Sequence, residues 1–121
     1  ELTQERFCFQ LAQTNNLEFL KWAREVKQCA WDDETISIPA FEGNLEMVKY
    51  CVDNDCPMDA RACACAAEEG HLAILKYLRE HDCPWDARTC HYAHMRNQIE
   101  CLNYAVEHEC SGWERYAPVR N

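Results

Sequence analysis

Glycine, proline and serine are all scarce in this sequence. Three glycines and four prolines in 121 residues leave too little turn material for a β-sandwich or barrel, which needs a turn roughly every 8–12 residues. Gly43, Gly70 and Gly112 stand too far apart for a dinucleotide-binding or P-loop signature. Ser37 and Ser111 are the only serines, and neither lies in a G-x-S-x-G elbow. No apolar run approaches the ~18 residues of a membrane span, so membrane insertion is not expected. Basic residues are the minority: 12 Lys and Arg face 21 Asp and Glu, a formal net charge of -9. Phosphate-neutralising surfaces have the opposite sign, so nucleic acid is a poor partner and anionic membranes are disfavoured. No charged and apolar leader pattern is visible, and the expected setting is an intracellular, reducing compartment rather than secretion.

What the sequence does contain is a core. Apolar residues make up 48% and charged residues 27%, and the length suits one domain, taken here as 1–121. Ten cysteines are the most unusual feature, and their spacing explains them. Cys29, Cys56, Cys83 and Cys110 are separated by 27, 27 and 27 residues. Around them stand Cys29-Ala30-Trp31-Asp32, Cys56-Pro57-Met58-Asp59, Cys83-Pro84-Trp85-Asp86 and a degenerate Cys110-Ser111-Gly112-Trp113. Cys8, Ile36, Cys63 and Cys90 form a second register, and Ala12, Ala40, Ala67 and His94 a third. A further block repeats as Leu17-Glu18-Phe19-Leu20-Lys21-Trp22, Leu45 to Tyr50, Leu72 to Tyr77 and Ile99 to Tyr104. The first unit carries one extra residue before Cys29. Registers shared four times over define a tandem repeat.

Each unit reads as two short helices. The second is apolar at most positions, with a polar strip such as Glu46 and Lys49, so it must be covered on more than one side. The first is smaller and richer in Ala and Cys, as in Ala60 to Ala67, which permits close helix approach. Gly43, Gly70 and Asn97 suit a left-handed helix end, Asp32, Asp59 and Asp86 suit N-caps, and Pro57 and Pro84 stop the preceding helix. First helices are predicted near 4–13, 33–41, 60–68 and 87–95, and second helices near 16–28, 44–53, 71–80 and 98–108. The expected architecture is all-α: four units, about 4–32, 33–59, 60–86 and 87–113, stacked through short loops, with a tail at 114–121.

At these residues the chain resembles the ankyrin-type repeat proteins, in the short 26–27-residue variety of protists, algae and large viruses. The third unit carries the resemblance best, through Cys63, Ala66, Ala67, Gly70, His71, Leu72, Leu75, Lys76, Tyr77, Cys83, Pro84 and Trp85. The second has Met58 for the Trp and Pro39 inside its small helix; the first lacks the Pro and the turn Gly. The fourth departs most, with His94-Met95-Arg96-Asn97 in place of Ala-x-x-Gly. The resemblance implies an ankyrin-like helix–turn–helix solenoid that binds protein, without catalysis or cofactor. The Cys-Pro-Trp-Asp connection is too short for the projecting finger of longer ankyrin units, which moves the expected binding face to the small helices.

The residues themselves limit other chemistry. Equivalent positions in neighbouring helical units lie about 8–10 Å apart, so cysteines one repeat apart can neither share a zinc ion nor form a disulfide. They read as small core residues. His71 reads as a turn histidine bonded to a neighbouring unit's backbone, His91 and His94 as surface or cap residues, and Trp31, Trp85 and Trp113 as packing between units. The acidic clusters Asp32-Asp33-Glu34, Glu68-Glu69 and Glu107/Glu109 read as solvated faces. No enzyme, metal or cofactor is expected, since no set of nucleophile, base and orienting group can be assembled.

The expected function is a non-catalytic protein–protein interaction module: a scaffold, an adaptor or a small subunit of a larger complex. Its partner should be a protein with a basic or mixed-charge surface. Candidate partner-binding residues vary between units on the small helices: Gln10, Gln13, Ile38, Phe41, Cys65, Glu68, Tyr92 and Met95. The alternative is a thiol-based redox or metal-responsive protein. It would need exposed or acidic cysteines, with Cys63 near Arg61 and Cys90 near Arg88 as the best candidates.

Overall fold

The structure is a computed structural model that describes residues 4–116; residues 117–121 of the expected tail lie outside the described residues. Eight α-helices and no strand occur among the described residues. They are α1 (Gln4–Gln13), α2 (Leu17–Glu25), α3 (Ser37–Glu42), α4 (Leu45–Asp53), α5 (Ala60–Glu68), α6 (Leu72–Glu80), α7 (Ala87–Met95) and α8 (Ile99–Glu107). A 3-10 turn at Trp113–Arg115 follows.

The helix boundaries follow from local chemistry. Asn16 and Asn44 cap α2 and α4, their side chains accepting from the backbone N–H of Phe19 and Met47. Asp59 and Asp86 cap α5 and α7 as expected, each accepting from the N–H two residues on. The second helices therefore start one residue later than predicted, because the residue taken as their first is the cap.

Each helix end reverses through a left-handed residue. In the turns within units these are Asn15, Gly43, Gly70 and Asn97, with φ of 59°, 83°, 78° and 60°. In the turns between units they are Gln28, Asp55, Asp82 and Glu109. The next N–H then reaches back five residues, as in His71 N–H to the Ala66 carbonyl at 2.8 Å and Cys83 N–H to the Leu78 carbonyl at 2.9 Å. This is the Schellman arrangement, which favours an apolar contact between the residue after the turn and the last helical turn. Cys56, Cys83 and Cys110 occupy that position. Their thiols also face the carbonyls of Asp32, Asp59 and Asp86 at 3.6, 3.5 and 3.2 Å. The 27-residue cysteine register thus marks the place where the end of one helix pair is tied to its own beginning.

One expected helix is shorter than predicted. Residues 33–36 form a turn, and α3 starts at Ser37. A helix begun at 33 would require an N–H from Pro39 to the Thr35 carbonyl, and proline has none. Starting at Ser37 puts Pro39 in the first turn, where no such bond is needed. Asp32 consequently caps the turn, accepting from the Glu34 N–H at 3.0 Å, rather than a helix.

Packing is tightest along the first helices, with α3 on α5 and α5 on α7, while α4, α6 and α8 stand farther apart. Small buried residues permit the close row: Thr35, Ala40, Ala62, Ala66, Ala67, Thr89 and Ala93. Larger core residues come from the second helices, among them Leu20, Met47, Val48, Leu75 and Leu78. Each fully buried Leu or Met contributes about 1.5–3 kcal/mol.

Polar contacts fix one helix pair against the next. Asn44 Nδ2 donates to Asn15 Oδ1 at 2.9 Å, and Gln98 Nε2 donates to the Glu68 carbonyl at 3.0 Å. Between them His71 Nε2 donates to the Phe41 carbonyl at 3.0 Å, the neighbouring backbone bond its register implied. On the second helices Lys21, Lys49 and Lys76 stand over the rings of Tyr50, Tyr77 and Tyr104 at 5.8, 5.8 and 5.9 Å. Trp31 and Trp85 meet Tyr50 and Tyr104 edge-on at 6.1 and 6.0 Å, so both tryptophans pack across the junction. Trp113 is half-buried in a small cluster with Cys90, Ala105, Cys110 and Tyr116.

Candidate functional site

The eight residues singled out in the sequence fall on the first helices, and the structure gathers four of them. Gln13 from α1, Ile38 and Phe41 from α3 and Cys65 from α5 line one open groove of about 420 Å³, joined by Ser37 and Glu42. Spacing along the chain explains the convergence. Ile38 and Phe41 are three residues apart and share one face of α3, while close packing of α3 on α5 brings Cys65 beside them. The lining is mixed, with Ile38, Phe41 and Cys65 beside Gln13, Ser37 and Glu42, and Phe41 keeps 40% of its surface exposed.

The other four lie elsewhere. Gln10 is half-buried on α1, outside the groove lining. Glu68 is held by Arg96 at 3.2 Å. Tyr92 and Met95 sit farther along the row on α7, Tyr92 half-buried beside His91 and Met95 66% exposed. Of the eight, Gln13, Phe41 and Met95 are exposed and the other five half-buried, while Ser37 and Glu42 line the groove without having been singled out.

Charge around the row is mostly acidic, because its cations are already paired. Arg61 meets Asp59, Asp33 and Glu34 at 2.7, 3.0 and 3.0 Å, and the hydrogen bond to Asp59 pushes its pKa further up. Arg88 holds Asp86 at 2.9 Å, and Arg96 holds both Glu68 and Glu69 at 3.2 Å. Asp32-Asp33-Glu34 and Glu68-Glu69 are therefore partly neutralised rather than freely solvated as expected. Glu42, at the groove edge, has no ion pair among the described residues. The arrangement is an open groove of mixed polarity with the Glu42 carboxylate at its edge.

The cysteines are largely withdrawn from solvent, although the hydrogen bond from Cys63 pushes the Cys83 thiol down. Nine are buried, and Cys65 is half-buried. Cys63 and Cys90, expected to be the accessible thiols of the redox alternative, are both completely buried. Proximity to Arg61 and Arg88 in sequence does not help them, because the guanidinium groups turn outward to Asp59 and Asp86. A hydrogen bond with Cys83, reinforced by burial, pushes the Cys63 thiol up, and burial pushes Cys90 up. Burial likewise raises Cys8 and Cys101 to about 11. Cys51 with Cys56, Cys63 with Cys83 and Cys90 with Cys110 are neighbouring thiols that comparison of repeat-spaced positions overlooked. Among the described residues no group of three or more His, Cys, Asp or Glu is arranged to hold a metal ion.

A second apolar surface lies at the α1–α2 end of the row. Leu11, Phe19 and Trp22 line an open depression of about 440 Å³ with almost no polar surface. Among the described residues no helix is long and apolar enough to cross a membrane. Comparison with protein families, curated proteins and solved structures finds no match to this chain.

Proposed function

We propose that this chain is a non-catalytic protein-binding module, a four-unit ankyrin-like solenoid whose first-helix groove receives a partner protein. The observation that carries the reading is the convergence of Gln13, Ile38, Phe41 and Cys65 in one open groove. Phe41 stands in that groove with 40% of its surface exposed, and aromatic and Met side chains are enriched at interfaces. The partner is a protein segment with an apolar anchor and a basic or mixed-charge flank, which Glu42 and the overall charge of -9 would attract and orient. Such a module serves as a scaffold, an adaptor or a subunit of a larger complex, in an intracellular, reducing compartment. The buried thiols act as packing residues in this reading.

Affinity capture with the tagged chain tests it, comparing wild type with Phe41→Ala and Tyr92→Ala. Loss of a stoichiometric partner with Phe41→Ala supports the groove. Retention with both variants places the binding face elsewhere. A chain that aggregates alone and is rescued by its partner is a subunit, while a stable monomer is an autonomous module.

A further inference from the structure

Each unit sets a second cysteine near the one that follows its second helix. In the third and fourth units that partner comes from the first helix: the Cys63 thiol hydrogen-bonds Cys83, and Cys90 does the same with Cys110, each pair twenty residues apart. In the second unit Ile36 replaces the first-helix cysteine, and Cys51 on α4 bonds Cys56 instead. In the first, the Cys8 thiol meets the Cys29 carbonyl at 3.6 Å. Leu78 and Ala105 hold the register of Cys51 in the third and fourth units, so packing alone does not require sulfur there. Where the first helix lacks its thiol, another stands beside the same partner.

The third unit combines two features that the others do not. Cys83 Sγ rests on the first turn of α5, facing the Asp59 carbonyl at 3.5 Å and accepting from both the thiol and the backbone N–H of Cys63. Arg79 Nη1 donates to the Cys83 carbonyl at 2.6 Å, its guanidinium 4.3 Å from the centre of the Trp85 ring. The Cys63 hydrogen bond, helped by this cation, draws the Cys83 thiol down against the effect of burial, while Cys63 moves up. One sulfur is thereby the better nucleophile and the other its proton-bearing neighbour, a division that suits stepwise oxidation of a dithiol. Val52 and Val106 hold the register of Arg79 in the second and fourth units, so neither places a guanidinium on its own post-turn cysteine. The first unit has Arg24 on the Cys29 carbonyl, but there the Cys8 thiol faces that same carbonyl.

We propose that Cys63 and Cys83 form an oxidisable dithiol, closed to a disulfide within the third unit by a hydroperoxide and reopened by thiols. The Cys83 thiolate attacks one peroxide oxygen. The O–O bond breaks, Cys83 becomes a sulfenic acid, and the other oxygen leaves as hydroxide or alkoxide and takes up a proton. The Cys63 sulfur then attacks the Cys83 sulfur, forming the S–S bond as the sulfenic oxygen departs with the Cys63 proton as water. Two thiols are oxidised and one peroxide is reduced. Both sulfurs are buried, but Cys83 lies in a turn whose neighbours His81, Asp82 and Pro84 are exposed. Local opening of such a turn admits a small peroxide where a bulkier reagent is held off. These thiols then have a chemistry beyond packing, and the pair stands whether or not the groove binds a partner.

Hydrogen peroxide applied to the native full chain, followed by alkylation in denaturant and peptide mapping without reduction, tests it. The expected result is loss of the free thiols of Cys63 and Cys83 as one bridged peptide pair, recovered with dithiothreitol. In the same digest Cys51–Cys56 and Cys90–Cys110 bridges should form severalfold more slowly, a comparison that needs no variant. Cys63→Ala should leave Cys83 unbridged and open to sulfinic acid formation. Cys65→Ser, two residues along the same helix, should keep the bridge. Arg79→Met should slow bridging of Cys63 to Cys83 severalfold, with Cys51–Cys56 as the reference rate. Both thiols still free after Cys65 has oxidised, a bridge to Cys65 or between chains in place of this one, equal rates at the three pairs, or bridging only in the unfolded chain would each overturn it.

Discussion

Replacing Gly70 by alanine probes the junction between helix pairs most directly, because two separate costs meet at one atom. Gly70 has φ of 78°, a conformation costing a side-chain-bearing residue about 1–2 kcal/mol. A Cβ placed there would also collide with the Gln98 side-chain amide. That amide can swing away, but it would then release the Glu68 carbonyl it holds at 3.0 Å, losing about 0.5–1.5 kcal/mol. The expected total is about 2–3 kcal/mol, roughly 8–12 °C of melting temperature for a chain of this size. Urea unfolding of Gly70→Ala, Gln98→Ala and the double variant separates the two parts. The double variant should cost less than the sum of the singles, because the hydrogen bond is lost only once. Gly70→Asn should be milder, since Asn tolerates the left-handed region while its Cβ still displaces Gln98. If Gly70→Ala costs no more than Gln98→Ala alone, backbone strain is absent and the reasoning fails. Strict additivity would show that the amide is not displaced.

Three further outcomes follow from the structure. Gln28→Gly and Glu109→Gly should each stabilise by about 0.5–1 kcal/mol in urea titrations, since both hold positive φ of 55°; Asp82→Gly should change less, because Asp visits this region more readily. With a thiol reagent on the native protein, Cys65 should label first and the nine buried cysteines only after denaturant, so rapid native labelling of Cys63 or Cys90 would contradict their burial. The Arg88 guanidinium beside Asp86 holds that carboxyl below its usual range, so its stabilisation is present above the unfolded-state value of about 3.9 and is lost as pH falls through the folded-state value. Asp86→Asn should therefore lose stability at neutral pH, and its deficit against wild type should shrink on acidification; an unchanged deficit would show that the ion pair contributes nothing.

How much of this was legible depended on whether a residue's role is local. The small first helices, the bulkier second helices and the caps Asp59 and Asp86 could be read because propensity and capping act within a few residues. The left-handed turns at Gly43, Gly70 and Asn97 were legible for the same reason. So was the His71 bond, since one repeat of displacement places its ring on a neighbour's backbone. The early start given to α3 was wrong because Pro39 outweighed the periodic pattern. A second left-handed residue in each unit went unnoticed because Gln28, Asp55, Asp82 and Glu109 are not glycines. The paired thiols escaped because Cys63 and Cys83 approach through the fold of one unit, not through the period. Phe19, Trp22 and Ile99 read as core in a periodic pattern, which grants every unit two neighbours. Among the described residues all three are exposed.

Comparison of the four units also separates what holds the row together from what is free to vary. Arg24 and Trp31 form a cation–π pair at 4.1 Å, and Arg79 and Trp85 another at 4.3 Å. The second unit carries Val52 and Met58 in those registers, so both members change together. Either change alone would leave a guanidinium without its ring, or a ring with an aliphatic neighbour where a cation belongs. In the second unit the two positions have therefore changed as a compatible pair. On the first helices, Gln10, Ile38, Cys65 and Tyr92 share one register with no common property, and Gln13, Phe41, Glu68 and Met95 share another. Of these side chains Ile38 and Cys65 pack against the core and Glu68 holds Arg96, whereas Phe41 and Met95 stay exposed over a row whose close approach is secured by Ala62, Ala66, Ala67 and Ala93. A surface whose chemistry can change without disturbing its support can acquire a partner independently of the fold. That independence makes Phe41→Ala a test of binding alone, with little expected effect on stability.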